Sequence, residues 1–349
     1  MSTLLVTLDF PPAFTGGVAS WAEDLAGALH RAGEPVTVLA RATGDTAASD
    51  RARPYPVRRM PGRSWARHQG LWALLSGLPR LGAGRDLRVI FATWPLASLL
   101  GPAAAAAGAS VGVAFHGSDL TRLPAPSPAF RRAIGAATAL LPVSGFLASE
   151  LGRLGAPTER ARVLPMPLPL PDAPGPRGEA LLCVARLTPL KGVERAIGLA
   201  RRMGRPLVVV GEGPELARLR AAAEGTATTF LGRLSREDIQ GIPAAAALLL
   251  PRADADGSGA EGLGLTLIEA AARGLPAIGC DTGGVREAVG VGLVIARPDD
   301  PDAADLSAAA ALLVDPSAGA RARAWAAATH GPEACLTALD RALPVPGGA

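Results

Sequence analysis

The sequence predicts an α/β protein with two doubly wound domains. Short β-rich runs alternate with Ala- and Leu-rich helical stretches, which is the pattern of parallel sheets covered by helices on both faces. The chain has 349 residues, of which 49% are hydrophobic, so it is long enough for two domains with full cores. A proline-dense stretch from Pro165 to Pro176 separates two series of predicted strands and indicates an extended linker.

The predicted strands fall on either side of this linker. The first series comprises residues 4–8, 35–39, 89–92, 111–115 and 139–143, with a helix over 18–32. The second comprises residues 180–185, 206–210, 228–231, 247–250, 277–280 and 293–295. We therefore predict domains over residues 1–165 and 177–325, a linker over 166–176 and a helical C-terminal stretch over 326–349. Ligands of such sheets bind beyond the carboxyl ends of the strands, so functional residues are expected there.

Charge and cysteine usage argue against several classes of protein. The net charge is +4, and no basic run is interleaved with aromatic residues, so no nucleic-acid partner is predicted. Cys183 and Cys280 lie in apolar, strand-like runs, which favours small buried hydrophobes in a reducing cytosol over a metal site. No charged segment precedes the first apolar run, so no signal peptide is expected.

One charge-free stretch, residues 89–115, is long enough to cross a bilayer. Pro95, Gly101, Pro102 and Gly108 interrupt it at positions that suit the joints of a strand, a helix and a second strand. We favour this interpretation, and a membrane span is the alternative.

Two glutamates flank a glycine turn that leads into a predicted helix. Glu261 precedes Gly262-Leu263-Gly264, and Glu269 follows Leu265 on the helix. Uncovered N–H groups and the helix dipole favour an anion at such a helix start. The arrangement suits a sugar linked to a diphosphate, because one carboxylate can reach sugar hydroxyls and the other a ribose diol. The alternative is a capped core helix with a solvated glutamate.

Two cations follow the strand predicted over 180–185. Arg186 can bind phosphate oxygens in a bidentate manner, and Lys191 supplies a compact charge. The alternative is a solvated pair at a strand-to-helix junction. Two cations and a helix N-terminus can neutralise a diphosphate, so no metal is needed, although Asp254 and Asp256 are an alternative Mg²⁺ site.

Seven motifs occur in an order and spacing typical of one family. They are Gly16-Gly17-Val18; Phe115-His116-Gly117-Ser118-Asp119; Val184-Ala185-Arg186-Leu187 with Lys191-Gly192; Val210-Gly211-Glu212-Gly213-Pro214; Phe230-Leu231-Gly232-Arg233-Leu234; the glutamate pair; and Asp281-Thr282-Gly283-Gly284-Val285-Arg286-Glu287. Together they resemble the family 4 retaining glycosyltransferases of the GT-B fold. The GDP-mannose-dependent mannosyltransferases of phosphatidylinositol mannosides are the subgroup that the chain most resembles. The resemblance lies in Asp9-Phe10-Pro11-Pro12 and in the sequence Glu-Gly-Leu-Gly that begins at Glu261.

The resemblance implies a fold, a reaction and a site. Two Rossmann-like domains would face each other across a cleft, with the C-terminal helix crossing back to the first. A hexose would pass with retention from a nucleoside-diphosphate sugar, GDP-mannose or a UDP-hexose, to a hydroxyl of a glycolipid or a small natural product. Glu261, His116, Arg186 and Lys191 would be catalytic. The donor site would comprise Gly16, Gly17, Arg186, Lys191, Gly211, Gly213, Gly232, Arg233, Glu261, Gly262, Leu263, Gly264, Leu265 and Glu269. No cofactor is implied, and Mg²⁺ is not expected to be required.

Other interpretations stay open at this point. A sugar-nucleotide epimerase of the same fold would turn over without an acceptor, and a non-catalytic partner subunit would bind nucleotide without transfer. Asp119 could orient His116 or bind the acceptor. Leu164 to Leu168 replaces a polar family motif, which puts the donor's identity in question.

The segment from Arg51 to Arg85 matches no family motif. Its basic and aromatic residues could face an anionic lipid, although a helix with solvated arginines and packed tryptophans is favoured. They are Arg58, Arg59, Arg63, Arg67, Trp65 and Trp72. The expected location is therefore cytoplasmic, with possible peripheral contact at the inner face of the membrane.

Overall fold

The computed structural model of the protein describes residues 2–14, 16–42, 44–61, 87–253 and 259–344. The chain forms two compact units. Unit 1 consists of Met1–Pro169 together with Pro332–Ala349, and unit 2 consists of Leu170–Gly331.

Unit 1 is a doubly wound parallel sheet. Its strands are β1 (Ser2–Thr7), β2 (Val36–Ala42), β3 (Val57–Pro61), β4 (Leu87–Phe91), β5 (Ser110–Phe115) and β6 (Ala139–Pro142). Its helices are α1 (Gly17–Arg31), α2 (Ala47–Arg51), α3 (Trp94–Ala106), α4 (Ser118–Thr121), α5 (Pro128–Ala136), α6 (Gly145–Arg153) and, from the end of the chain, α14 (Pro332–Ala342). Within the described residues the strand order is β3-β2-β1-β4-β5-β6. This order reverses beside β1, which is where such sheets bind ligands.

Unit 2 repeats this topology. Its strands are β7 (Arg177–Val184), β8 (Leu207–Val210), β9 (Thr228–Phe230), β10 (Ala244–Leu249), β11 (Ala277–Cys280) and β12 (Leu293–Ile295). Its helices are α7 (Val193–Arg202), α8 (Leu216–Ala222), α9 (Arg236–Gln240), α10 (Leu265–Ala272), α11 (Val285–Val289), α12 (Ala303–Val314) and α13 (Ala318–His330). The described strands are parallel in the order β12-β11-β10-β7-β8-β9, so the order reverses between β7 and β10.

The charge-free stretch of residues 89–115 forms β4, α3 and β5, which confirms the strand-helix-strand prediction. Helix α3 has only 13 residues and contains Pro102. In the described parts of the chain, every helix is too short or too polar to cross a membrane.

Strand β3 was absent from the prediction. Its sequence contains two adjacent arginines, a composition that is not typical of a strand. Arg59 directs its guanidinium to Asp50, with Nε 3.0 Å from Oδ2 and Nη2 2.9 Å from Oδ1. The side chains of this pair are 10% and 11% exposed, so Arg59 is a structural residue and the lipid-facing role considered for it is wrong. Arg58 is exposed on the same strand.

The remaining members of that predicted basic and aromatic face lie outside the described residues. They are Arg63, Arg67, Trp65 and Trp72.

The end of the proline-rich stretch is held on unit 2 by hydrogen bonds to its backbone groups. Arg323 donates to the carbonyls of Pro171 and, at 2.9 Å, of Ala272. Gly175 donates its N–H to the carbonyl of Arg273 at 2.7 Å. The segment is therefore part of the unit 2 structure from about its midpoint onward.

Helix α14 belongs to unit 1, although it follows the last helix of unit 2 along the chain. Cys335 and Leu339 are fully buried. Asp340 accepts a hydrogen bond of 2.8 Å from Arg88, a residue of β4 that is only 2% exposed and that also donates to Glu34. Burial of apolar side chains and a charged network thus fix the helix on the first sheet.

Candidate active site

Two of the predicted site residues meet in unit 2. Lys191 Nζ donates a hydrogen bond to Glu261 Oε2, and the two side chains are 18% and 15% exposed. An ammonium group has three N–H donors, so Lys191 keeps two that a ligand can use. A carboxylate accepts several hydrogen bonds, so Glu261 can also bind a hydroxyl group. The pair therefore offers a donor and an acceptor side by side.

Close backbone packing places Lys191. A 3-10 turn over Pro189–Lys191 ends at Gly192, whose φ is 59°. A Cβ at Gly192 would lie 2.0 Å from the carbonyl oxygen of Leu250, so only glycine fits there. The N–H of Arg252 donates to the carbonyl of Leu190 at 2.8 Å. The lysine is thus fixed against the carboxyl end of β10.

A second glycine turn supports Glu261. Gly284 donates its N–H to the Glu261 carbonyl at 2.9 Å. A Cβ on Gly283 would lie 2.1 Å from that same oxygen, and a Cβ on Gly284 would lie 2.2 Å from the carbonyl oxygen of Gly262. The Thr282-Gly283-Gly284 motif therefore acts through the backbone that carries Glu261.

Helix α10 begins where the sequence predicted it. Gly264 has a φ of 93° and is the N-cap, and the helix starts at Leu265. Gly262 and Leu263 are buried beneath this turn. The first N–H groups of a helix lack partners inside the helix, and no acidic side chain occupies the first turn of α10. This helix start can therefore receive an anion next to Lys191 and Glu261.

Arg186 follows β7 and is exposed, and its guanidinium forms no ion pair or hydrogen bond with another described residue. Two glycines of the neighbouring loop pack against the backbone of the residues on either side of Arg186. A Cβ on Gly211 would lie 1.9 Å from the Ala185 carbonyl oxygen, and one on Gly213 would lie 2.3 Å from that of Leu187. Backbone packing thus accounts for both glycines, and it sets the direction in which Arg186 leaves the sheet.

Glu269 lies one turn into α10 and pairs with an arginine that the prediction missed. Arg236 Nη2 donates to Glu269 Oε1 at 2.9 Å. Arg236 opens α9, directly after the loop that contains Gly232 and Arg233. Gly232 has a φ of 70° and accepts a hydrogen bond of 2.7 Å from Gly211 N–H, whereas Arg233 is exposed. Arg236 was missed because it belongs to none of the seven sequence motifs.

The glycine loop of unit 1 precedes α1. Gly16 is the N-cap with a φ of 140°, and Gly17 is the first helical residue. Both are exposed, and a Cβ at either position would meet no atom within 4 Å. Packing inside unit 1 does not require glycine at Gly17, while the backbone conformation does require it at Gly16.

His116 directly follows β5, as predicted, and its imidazole is held in a defined state. It forms a hydrogen bond to the Ala92 carbonyl, and its Nε2 is buried without a partner among the described residues. Since the bonded nitrogen must then be Nδ1–H, Nε2 of the neutral ring is an acceptor. Burial lowers the pKa of His116 to about 4, so the ring is neutral near pH 7. This atom can accept a hydrogen bond from a hydroxyl group.

Asp119 and Trp21 both contact His116. Asp119 Oδ1 accepts from the backbone N–H groups of Gly117, at 2.9 Å, and of His116, at 3.3 Å. Burial raises the pKa of Asp119. The Trp21 ring meets the imidazole edge-on with centroids 4.7 Å apart. Asp119 thus orients the His116 loop, which is one of the two roles considered for it, and Trp21 was missed because nothing in its sequence position marks it.

The described residues contain no group of three or more His, Cys, Asp or Glu side chains that could hold a metal ion. Asp254 and Asp256 lie outside those residues, so a metal-independent reaction stays a prediction. The three cysteines are buried thiols, and burial raises the pKa of Cys183 to about 12.

Comparisons with known proteins identify a family for both halves of the chain. The family described as "Glycosyltransferase Family 4" matches residues 15–170, and "Glycosyl transferases group 1" matches residues 174–327.

The GDP-mannose-dependent alpha-(1-6)-phosphatidylinositol monomannoside mannosyltransferase of Mycobacterium tuberculosis is 32% identical over 93% of this chain and 93% of its own. The enzyme of the same name from Mycolicibacterium smegmatis is 30% identical, with the same coverage of both chains. Among solved structures, HepE from Anabaena in complex with UDP has a TM-score of 0.77 at 15% identity, and the match covers 98% of this chain and 99% of HepE. That likeness shows the fold.

Matches over both halves, full-length relatives and two doubly wound parallel sheets agree with one another. The protein therefore belongs to glycosyltransferase family 4, is a glycosyltransferase, and has the GT-B fold.

Proposed function

We propose that the enzyme is a retaining mannosyltransferase that transfers mannose from GDP-mannose to a hydroxyl group of a phosphatidylinositol-mannoside glycolipid. The contact between Lys191 and Glu261 at the start of α10 carries this proposal, because it combines a cation, a carboxylate and helix N–H groups. The names of the two full-length relatives support the choice of donor and acceptor.

The diphosphate would bind at the cationic end of this site. Lys191 would donate its remaining N–H groups to phosphate oxygens, and Arg186 would add a bidentate contact. The N–H groups at the start of α10 would bind a further oxygen. These groups neutralise the charge that develops on the leaving GDP, which is the role a metal ion has in other transferases.

The two glutamates would bind the two sugars of the donor. Glu261 would accept hydrogen bonds from mannose hydroxyls and stabilise positive charge at the ring, while Glu269 would accept from the ribose diol. In unit 1, His116 Nε2 is a neutral acceptor and would accept a hydrogen bond from a substrate hydroxyl group.

The reaction would proceed by front-face attack. The bond from the anomeric carbon to the phosphate oxygen breaks, and the acceptor oxygen bonds to that carbon on the same face. The acceptor proton passes to the leaving phosphate oxygen, so no carboxylate nucleophile is required. Exclusion of water protects the developing glycosyl cation.

A donor and product screen tests the proposal. Thermal shift and hydrolysis with GDP-, UDP-, dTDP- and ADP-sugars, without metal and then with Mg²⁺, would be followed by transfer to a phosphatidylinositol mannoside in detergent micelles. We expect GDP-mannose to stabilise the protein, and the product to show an α-anomeric NMR coupling. A β-linked product would contradict retention, conversion of the donor sugar to its epimer without acceptor would indicate an epimerase, and nucleotide binding without transfer would indicate a non-catalytic subunit.

A further inference from the structure

The turn that carries Lys191 packs against the segment that follows β10. Gly192 fits closely over the carbonyl of Leu250, and Arg252 donates its N–H to the carbonyl of Leu190 at 2.8 Å. These contacts join main-chain atoms on either side of Lys191. The position of the lysine therefore depends on how this segment is held.

Arg195 adds a side-chain contact to the same segment from the first turn of α7. Its Nη1 donates to the carbonyl of Pro251 at 2.5 Å, and its Nε and Nη2 donate to the two carboxylate oxygens of Asp299, at 2.8 and 2.6 Å. The side chain of Arg195 is 11% exposed, whereas that of Asp299 is 60% exposed. A bidentate carboxylate fixes the orientation of a guanidinium group. Because Asp299 follows β12, one arginine joins α7 to the segments that follow two strands.

Arg252 connects the same carboxylate to α7 a second time. Its Nη1 lies 3.2 Å from Asp299 Oδ1, and its Nε donates to Glu194 Oε1 at 2.6 Å. Asp299 thus contacts two arginines, and both of them hold the start of α7 on the segment that follows β10. Loss of this one exposed carboxylate would release both guanidinium groups.

We propose that Arg195 and Asp299 are positioning residues for Lys191, whose ion pair holds the first turn of α7 so that the lysine can bind a diphosphate beside Glu261. This inference rests on the role of Lys191 in the proposed function. Helix α7 begins two residues after Lys191, so a shift of its first turn moves the lysine. A misplacement of about 1 Å can cost up to about 100-fold in rate.

Removal of Asp299 distinguishes positioning from simple electrostatic attraction. Asp299→Ala removes a negative charge, so attraction alone would make an anion bind more tightly. Displacement of Lys191 would make it bind more weakly. Asp300→Ala is the matched control, because it removes the neighbouring charge, which pairs with Arg202 at the far end of α7. Isothermal titration of the full chain with inorganic pyrophosphate would measure both variants.

We expect Asp299→Ala to weaken pyrophosphate binding about tenfold. Asp300→Ala should leave the affinity unchanged within about twofold. Arg195→Lys keeps the charge but cannot hold both carboxylate oxygens, and it should also weaken binding. Asp299→Glu, whose carboxylate can still reach Arg195, should recover part of the loss. Unchanged or tighter binding by Asp299→Ala would overturn the inference.

A second comparison excludes a general structural effect. In a Lys191→Met background, Asp299→Ala should weaken pyrophosphate binding no further, because the group that it positions is gone. An equal loss in both backgrounds would overturn the inference. Should Lys191→Met not fold, the comparison of Asp299→Ala with Asp300→Ala decides.

The two proposals fail in different ways. If Lys191→Met binds pyrophosphate as tightly as the unaltered protein, the proposed diphosphate site is wrong, and this inference falls with it. If Lys191→Met weakens binding but the Asp299 and Arg195 variants do not, only the positioning role is wrong.

Discussion

Lys191 and Glu261 are 70 residues apart in the chain and form an ion pair in unit 2. Each neutralises the other in the absence of ligand. We expect a diphosphate bound to Lys191 to compensate its charge and so to free Glu261 to accept hydrogen bonds from sugar hydroxyls. The two residues thus act as a pair, although they belong to separate sequence motifs.

Substitution of either residue tests this pair. Glu261→Gln keeps the shape but removes the charge, and we expect kcat to fall about 100-fold because charge at the sugar ring is no longer stabilised. Lys191→Met leaves a mostly buried carboxylate without its partner, so the free energy of unfolding should drop by about 1–3 kcal/mol in addition to weaker donor binding. Arg202→Met, in the exposed pair with Asp300, is the control and should change neither quantity. Full turnover by Glu261→Gln would remove that residue from the mechanism.

Gly283→Ala tests the supporting turn. Its Cβ would lie 2.1 Å from the Glu261 carbonyl oxygen, so Glu261 must shift. Gly225→Ala is a matched control, because Gly225 also has a positive φ, 71°, but a Cβ there would meet no atom within 4 Å. Both variants carry the strain of an alanine in the left-handed region, about 1–2 kcal/mol. Only Gly283→Ala should also lose transfer, measured as kcat at saturating donor. Equal activity of the two variants would show that the turn does not position Glu261.

His116→Phe and His116→Gln test the acceptor atom. Phenylalanine keeps the edge contact with Trp21 but offers no acceptor, and we expect kcat/KM to fall about 10- to 100-fold. Glutamine can present its amide oxygen and should recover part of this loss. Since the imidazole is neutral above its pKa of about 4, kcat/KM should show no titration of His116 between pH 6 and 8. A loss of activity with a midpoint in that range, absent from His116→Gln, would contradict a neutral acceptor.

The second buried histidine, His330, should make stability depend on pH. Burial lowers its pKa from 6.5 to about 4. Between these pH values the unfolded chain binds a proton that the folded chain does not. The free energy of unfolding should therefore decrease as the pH falls from 6.5 to 4, by up to about 1.4 kcal/mol per pH unit.

His330→Phe should remove this contribution, and urea unfolding at pH 7 and pH 5 would measure it. His116 contributes with the same sign but is present in both proteins, so the difference isolates His330. An identical pH dependence in the variant would show that His330 is not buried as described.

The network around Arg88 predicts how helix α14 contributes to unit 1. Asp340→Asn removes the carboxylate that Arg88 contacts at 2.8 Å, while Glu34 remains. We expect the free energy of unfolding of unit 1 to fall by about 1–3 kcal/mol, because a buried guanidinium loses one charged partner. Hydrogen exchange of β4 amides would report the loss locally. The exposed Asp300→Asn is the control and should leave β4 protection unchanged.

The sequence predicted most of the framework, for a physical reason. Parallel strands buried on both faces are continuous apolar runs. Strand ends and helix starts are marked by glycines, such as Gly211 and Gly264, that need unusual backbone angles or close contacts. Strand β3 was missed because Arg58 and Arg59 lie on an edge strand where charged residues are tolerated.

The contacts inside the site were less accessible to prediction. Arg236 belongs to no motif, and its contact with Glu269 depends on how α9 packs beside α10. Pairing of Lys191 with Glu261 likewise follows from packing at the ends of β7 and β10. Motif spacing predicts local backbone conformation, such as a glycine turn. Contacts between residues far apart in the chain depend on the tertiary fold.

Helix α14 makes unit 1 discontinuous in the chain, while unit 2 is a single continuous segment. The whole of unit 2 must therefore be translated before the last helix of unit 1. Until that helix emerges, Arg88 lacks the carboxylate of Asp340, and the surface that will contact Cys335 and Leu339 is open to solvent. The first sheet to be translated is thus completed by a helix that is translated after the whole of unit 2.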